Sequence, residues 1–338
     1  MRMSRRLKIA REKKEILVMS EYTEIYEYLD NKENLLLTGH ANPDADCIAS
    51  ILALDYAFAG QKKGWQLVLS DPVPDYLSFL PDWQRIIAPD QLPMIPQDIL
   101  LVDCAEESRT GEKWKQRFPH SRIHAIDHHL SHAFNGGLLL SRPAAASTTE
   151  VIFQMLEQQG RTWDKTLALL LYTGMVADTA CFRYCNTKPD TLAAASKLLA
   201  TGFDTLPLIY NLFERQSVKN MQMLSVALGT IQLSENGQIA WMVIDKAGME
   251  RHKANCLDCH NIVNYALNPL GVKLGLLFEE GSSKIKVSIR SRSGFAANEL
   301  ALLFGGGGHK EAAGCQLCCS LQESIELVLQ EARRMLGN

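Results

Sequence analysis

The stretch HANPDADCIAS (residues 40–50) follows the apolar run Leu35-Leu36-Leu37 and leads into the apolar, helix-patterned segment from Ile48 to Phe58. One imidazole and two carboxylates, His40, Asp44 and Asp46, therefore crowd into seven residues at a strand-to-helix turn. Two carboxylates about 4 Å apart repel by about 4 kcal/mol at an effective dielectric of about 20. Something positive is expected between them.

Working outward, NLLLTGH, WQLVLSD, DILLVDC and RIHAID read as four short buried strands, and CIASILALDYAFAG as a helix ended by Gly60. Helical or polar segments separate most of them, which predicts βαβ units and a parallel sheet with helices on both faces. After Ser147 the pattern is helical: STTEVIFQMLEQQG, DKTLALLLYTGMVAD, PDTLAAASKLLATG and the long TLPLIYNLFERQSVKNMQMLSVALGTI. From about Gln238 short strands return. A hairpin is expected at Glu280-Gly281-Ser282-Ser283, a helix at ANELALLF, a strand at CQLCC and a closing helix from Leu321 to Met335. The reading is α/β: a parallel-sheet catalytic domain over 20–215, a linker helix over 216–235 and a smaller α+β domain over 236–338.

Bulk properties narrow the function. The 338 residues are 46% hydrophobic and 22% charged, which excludes a disordered chain. A net charge of −3 argues against a long nucleic-acid duplex as partner. No apolar run reaches the roughly 18 residues of a membrane span. Nine scattered cysteines without an apolar leader point to free thiols in the cytoplasm. Cys256-x-x-Cys259-His260 and Cys318-Cys319 lack two-knuckle zinc spacing and read as core or chance cysteines. The first twenty residues hold seven Lys or Arg, read as a solvated helix face or as sequence ahead of a start at Met19.

The acids fall at strand ends. Asp103 ends DILLVD, Asp127-His128-His129 ends RIHAID, and Asp178 ends a helix. Ligands of open parallel sheets bind beyond the carboxyl ends of the strands. Carboxylates with imidazole, and no thiolate, suit Mg, Mn or Zn, and their number suits a pair of ions with one bridging carboxylate. Such a pair activates water and clamps phosphoryl oxygens. A lone Asp46 would read instead as a helix N-cap.

HANPDADCIAS, LLVDCAEESR, AIDHHLSH and GMVADTACFRY, in that order, resemble the DHH phosphoesterase superfamily. FGGGGHKEAAG and KVSIRSRS resemble its DHH-associated C-terminal domain. The resemblance implies His40, Asp44 and Asp103 on one metal, and Asp46, Asp103, His128 and Asp178 on the other, with Asp103 bridging. It implies His129 as a phosphate-facing acid or stabiliser, and Asp127 as the residue that orients the histidines. Manganese is the implied ion, with magnesium the alternative. Cys47, Ala49 and Ala180 depart from the small residues common at those places without removing a ligand. In the second domain Arg290, Gly306, Gly307, Gly308 and His309 are the implied substrate contacts, with Arg292 and Lys310 as nearby charge. The two-domain layout looks most like the oligoribonuclease and 3′-phosphoadenosine 5′-phosphate phosphatase branch, acting on short RNA and dinucleotides such as pApA or pGpG. A family II pyrophosphatase, a RecJ-like exonuclease and a non-catalytic nucleotide-binding module are the alternatives. The oligomeric state is left open, a homodimer included.

Overall fold

Alternate residues of the first four expected strands point to opposite sides, and both sides are apolar. Leu37, Leu67, Leu100, Val102 and Ile126 pack with the helices at 20–31, Ala45–Leu54, Thr148–Gln158 and Lys165–Asp178. Leu36, Val68, Ile99, Leu101 and Ala125 form a second apolar layer with Leu92, Cys104, Ala105 and Phe134. Burial on both faces is what a parallel sheet requires. The computed structural model describes residues 20–59, 64–92, 96–111, 121–129, 134–259, 261–292, 294–308 and 310–337. Expectations about the first nineteen residues, Gly60, His260 and His309 lie outside them, as does the side chain of Cys256.

The chain divides into two units, 1–215 and 216–338. The first holds six parallel strands: β1 (Leu36–Thr38), β2 (Gln66–Val68), β3 (Ile86–Ile87), β4 (Asp98–Val102), β5 (Arg122–Asp127) and β6 (Leu139–Ser141). Their order is β3-β2-β1-β4-β5-β6. Strand order reverses between β1 and β4, so the crevice beyond the carboxyl ends of these two neighbours is the expected ligand position. His40–Asp46 leave β1 there, and Asp103 leaves β4.

The opposite, amino-terminal end of the sheet buries charge. Asp98 opens β4 with Lys32 Nζ at 2.5 Å and Arg122 Nε at 3.0 Å, and His124 Nε2 lies 3.6 Å away. The Leu138 N–H donates to His124 Nδ1 at 3.0 Å. Burial, with Arg122 and Lys32 nearby, holds the His124 pKa below its usual value against the pull of Asp98. Burial alone would raise Asp98, but Lys32 and Arg122 hold it low. Both folded-state values lie below the unfolded ones. Their stabilisation is therefore present above about pH 6.5 for His124 and about 3.9 for Asp98, and is lost as pH falls. His124→Gln is expected to shrink the drop in urea-unfolding free energy between pH 7.5 and pH 5. An unchanged drop would contradict this assignment.

The second unit is built on a mixed sheet. Its strands are β7 (Gln232–Leu233), β8 (Ile239–Ile244), β9 (Leu274–Glu280), β10 (Ile285–Ser291), β11 (Gly307–Gly308) and β12 (Ala312–Leu317), in the order β11-β12-β10-β9-β8-β7. Among the described residues only β8 and β9 run parallel. The hairpin at Glu280–Ser283 joins β9 to β10 as expected. One face packs on the helices Ala297–Leu303 and Leu321–Met335, through Leu276, Phe278, Val287, Ile289 and Leu317. On the other face, Ala240, Met242 and Leu277 of β8 and β9 pack with Met223, Met249, Ile262 and Val263. Ile262–Leu267 in that second layer also approaches β10.

The expected continuous helix from Thr205 to Ile231 is not formed. Helical turns at Leu206–Glu214 end where Arg215 turns extended (φ −67°, ψ 107°), and Ser217 caps a new helix, Val218–Gly229, by accepting the Asn220 N–H at 2.9 Å. That helix lies within the second unit and packs on β8. A side-chain cap offers the backbone a start that the apolar period does not reveal.

Candidate metal centre

Asp44, not Asp46, caps the helix Ala45–Leu54: its Oδ1 accepts the Cys47 N–H at 3.0 Å. Asp46 sits in the first turn of that helix and is wholly buried. Its carboxylate is cradled by the start of a different helix. Oδ2 accepts the Thr148 N–H at 2.6 Å, and Oδ1 accepts the Thr149 N–H at 3.1 Å and the Thr149 hydroxyl at 2.8 Å. Helix N-termini carry unpaired N–H groups and a positive field, which suits a carboxylate. The cradle allows no Cβ at Gly174, whose neighbours are Asp46 and Thr149. The Thr148 hydroxyl donates to Asp103 Oδ1 at 2.8 Å, so one helix start positions both acids.

Asp103 is the centre of the arrangement. Its backbone is left-handed (φ 61°), a conformation that costs an ordinary residue about 1 kcal/mol and clusters at functional sites. It is held there by its N–H, which donates to Ile126 O at 3.0 Å. The two carboxylate oxygens face different imidazoles. Oδ2 lies 3.4 Å from His40 Nε2, and Oδ1 lies 3.6 Å from His128 Nε2 and 3.7 Å from His129 Nδ1. His128 Nε2 also stands 3.2 Å from Asp178 Oδ2, yet makes no well-formed hydrogen bond among the described residues. His40 donates its Nδ1–H to Ala41 O at 2.9 Å, so Nε2 is the ring nitrogen that faces the carboxylates.

The field is strongly negative. Burial would lower His40, but contact with Asp103 and the charge of Asp44 raise it to about 9. Burial would likewise lower His128, but Asp178, Asp46 and Asp103 raise it to about 10. Burial raises Asp178 to about 6, with Asp44 and Asp103 adding repulsion that His128 opposes. Burial and the charges of Asp103 and Asp178 push Asp46 well above the carboxylate range. A field that holds protons on two imidazoles and resists ionisation of two acids is one that a cation relieves.

Three groups of described side chains bring ligand atoms within 4.8 Å of one another: His40, Cys47 and Asp103; Asp103, His128 and His129; and Asp46, His128 and Asp178. The donor set fits hard or borderline divalent ions. Asp103 belongs to two groups and His128 to two. Asp44 stands outside them, with Oδ1 3.9 Å from His40 Nε2. Burial pushes the Cys47 thiol well above its ordinary pKa, which makes it a poor ligand. Cys318 and Cys319 belong to none of these groups.

Asp127 contacts one of the two histidines. Its Oδ1 accepts the His129 backbone N–H at 3.0 Å and lies 2.8 Å from His129 Nδ1. That leaves His129 Nε2 as the ring's other face. After Asp178 the backbone is left-handed at three successive residues, Ala180, Cys181 and Phe182. Asn186 ties this turn down by donating to Asp178 O and Ala146 O, both at 3.1 Å. Thr148, Thr149, Gly174 and Asn186 were missed from the sequence. The helical pattern of STTEVIFQMLEQQG places a helix after Ser147, but does not show what its start would hold.

Of the expected substrate contacts, Arg290 lies on β10, with Nη1 donating to Ile289 O at 3.0 Å. Arg292 is turned onto Leu267 O at 2.9 Å. Gly307 and Gly308 form the edge strand β11, paired with Gly314 and Ala313, instead of the expected free turn. Gly306 approaches the backbone so closely that a Cβ there would meet Gly314 O at 2.2 Å.

Residues 34–175 match the DHH family, N-terminal domain, and residues 225–338 match the DHHA1 domain. The chain belongs to the DHH family. Membership makes it a hydrolase of phosphoester bonds. This DHH chain is 29% identical over 306 residues to the bifunctional oligoribonuclease and PAP phosphatase NrnA of Thermus thermophilus, covering 89% of this chain and 90% of that one. It is 27% identical over 300 residues to the protein of the same name from Bacillus subtilis, covering 87% and 93%. An exopolyphosphatase-related protein from Bacteroides fragilis shares the fold, with a TM-score of 0.87 at 24% identity over 94% of this chain and 98% of that one. Among the described residues no helix is long and apolar enough to cross a membrane.

Proposed function

We propose that this DHH protein uses two divalent cations, Mn²⁺ before Mg²⁺, to hydrolyse very short RNA and dinucleotides such as pApA and pGpG. The phosphatase reaction on 3′-phosphoadenosine 5′-phosphate belongs to the same site. The observation that carries the reading is Asp103, whose two buried oxygens face His40 on one side and His128 on the other. One cation would take His40, Asp44 and Asp103, and the other Asp46, Asp103, His128 and Asp178. Bound there, the pair supplies Lewis acidity toward phosphoryl oxygens and acidifies water.

The chain's own residues do the rest. Thr148 and Thr149 hold Asp103 and Asp46 at fixed positions by hydroxyl and backbone donors. Asp127 fixes the His129 ring through Nδ1, so that Nε2 is the nitrogen able to donate a proton to the leaving oxygen or stabilise its charge. In the second unit, the Arg290 guanidinium would contact a phosphate, and Gly307, with open space where a side chain would stand, permits close approach. The names of the Thermus and Bacillus relatives support this substrate class. The full set of expected ligands weighs against a non-catalytic nucleotide sensor.

Purified protein with Mn²⁺ should be assayed on pApA, a 24-residue RNA, 3′-phosphoadenosine 5′-phosphate and pyrophosphate. Turnover is expected to be fastest on pApA. A preference for the long RNA or for pyrophosphate would overturn the reading.

A further inference from the structure

The helix Val218–Gly229 is apolar on two sides. Met223 and Ala227 are buried in the layer that packs on β8 and β9. The side turned to solvent carries Val218, Met221 and Leu228, exposed by 74%, 54% and 42%. Ile231 and Leu233, 38% and 50% exposed, continue the patch into β7, the edge strand of the sheet. A surface helix ordinarily sets polar residues opposite its buried stripe, and a helix that is apolar all round is covered. Exposed apolar side chains that cluster, where scattered ones need no explanation, mark an interaction site.

The exposed side has the form of a helix-pairing seam. Val218, Met221, Ser225 and Leu228 follow the alternating three- and four-residue spacing of a coiled coil. At 100° per residue they fall within an arc of about 80°, along about 15 Å of helix. Ser225 is exposed as well, and its small side chain lets a second helix come close near the middle of the seam. Lys219 is the one ionisable residue between Val218 and Leu233, and it lies about 100° from Val218, outside the arc.

We infer that this face pairs with the same face of a second copy of the chain, helix antiparallel to helix about a two-fold axis. An axis midway between Leu224 and Ser225 sets Met221 opposite Leu228 of the second copy, and Val218 opposite its Ile231. Apolar groups then meet apolar groups along the whole seam. A face without charge offers nothing to orient an acidic or basic partner, and it brings no like-charge repulsion to self-pairing. A two-fold contact also uses the same patch on both copies, so the assembly closes at two. One helix pair with its flanking strand ends is smaller than the roughly 1,200–2,000 Å² of a stable interface, so the dimer is weak, with a dissociation constant on the order of 10–100 µM.

Sedimentation velocity of the full-length protein between about 2 and about 200 µM brackets that range. The weight-average sedimentation coefficient is expected to climb toward that of a dimer. Met221→Glu and Leu228→Lys each place a charge in the seam, and each is expected to raise the dissociation constant at least about tenfold. Combining the two sets opposite charges face to face on both sides of the axis, and should bring association back to within about threefold of wild type. Both positions are exposed, so the urea midpoints of the variants should match wild type and separate lost pairing from lost folding. A wild type that stays monomeric at about 200 µM overturns the inference and leaves the face to a partner of another kind. A dimer that persists in both single variants, or a double variant that associates no better than the single ones, overturns it too.

Discussion

Replacing Asp103 with asparagine is expected to lower kcat/KM on pApA by roughly 10³-fold or more, beyond the loss typical of one electrostatic donor. The asparagine keeps its Oδ1 as an acceptor for the Thr148 hydroxyl, so the local packing survives. What disappears is the charge that faces His40 through one oxygen and His128 through the other. Both proposed cation positions are weakened by this single change. The chelated variant should be less stable than chelated wild type at neutral pH, because burial alone would raise the Asp103 carboxyl but His40, His128 and His129 hold it below its ordinary pKa, a stabilisation the asparagine loses. Mn²⁺ should raise the melting temperature of wild type, since binding to the folded state alone stabilises it. In the variant that rise should shrink or vanish. Unchanged turnover, or an equal Mn²⁺-induced rise, would contradict the bridging role.

Gly174→Ala should destabilise the protein by roughly 2–3 kcal/mol, where the same change inside an ordinary helix stabilises by about 1 kcal/mol. Gly174 lies within the helix Lys165–Asp178. A Cβ there would stand 2.1 Å from Asp46 Oδ1, 2.4 Å from Thr149 Oγ1 and 2.6 Å from Thr149 Cγ2. None of these atoms is the end of a flexible side chain. Asp46 is pinned by the Thr148 and Thr149 N–H groups, and Thr149 sits in the first turn of its own helix. Relief therefore requires the two helices to part or Asp46 to leave its cradle. The second route also lowers Mn²⁺ affinity. Urea denaturation and Mn²⁺ titration read the two effects, and a stabilised variant with unchanged affinity would show that the cradle is not tight.

The site was legible from the sequence to the extent that chemistry is carried by strand ends. His40, Asp103 and His128 each follow an apolar run, and an open parallel sheet gathers such residues along one edge. The strand order places β1 beside β4, which is why His40 and Asp103 come within reach of each other although 63 positions separate them in the numbering. The short strands were not legible. Ile86–Ile87 and Leu139–Ser141 are too brief to show a period. The Thr148–Thr149 cradle was hidden for another reason. It joins residues more than a hundred positions apart, and nothing local distinguishes a helix start that holds a carboxylate from one that faces solvent.

Cations held at Asp103 are proposed to carry phosphodiester hydrolysis by this DHH chain. The most direct measurement is pApA turnover as Mn²⁺ is titrated back into chelator-stripped wild-type protein. No turnover is expected in excess chelator, with recovery that saturates at two Mn²⁺ per chain. Full turnover in excess chelator, or saturation without bound Mn²⁺, would contradict it.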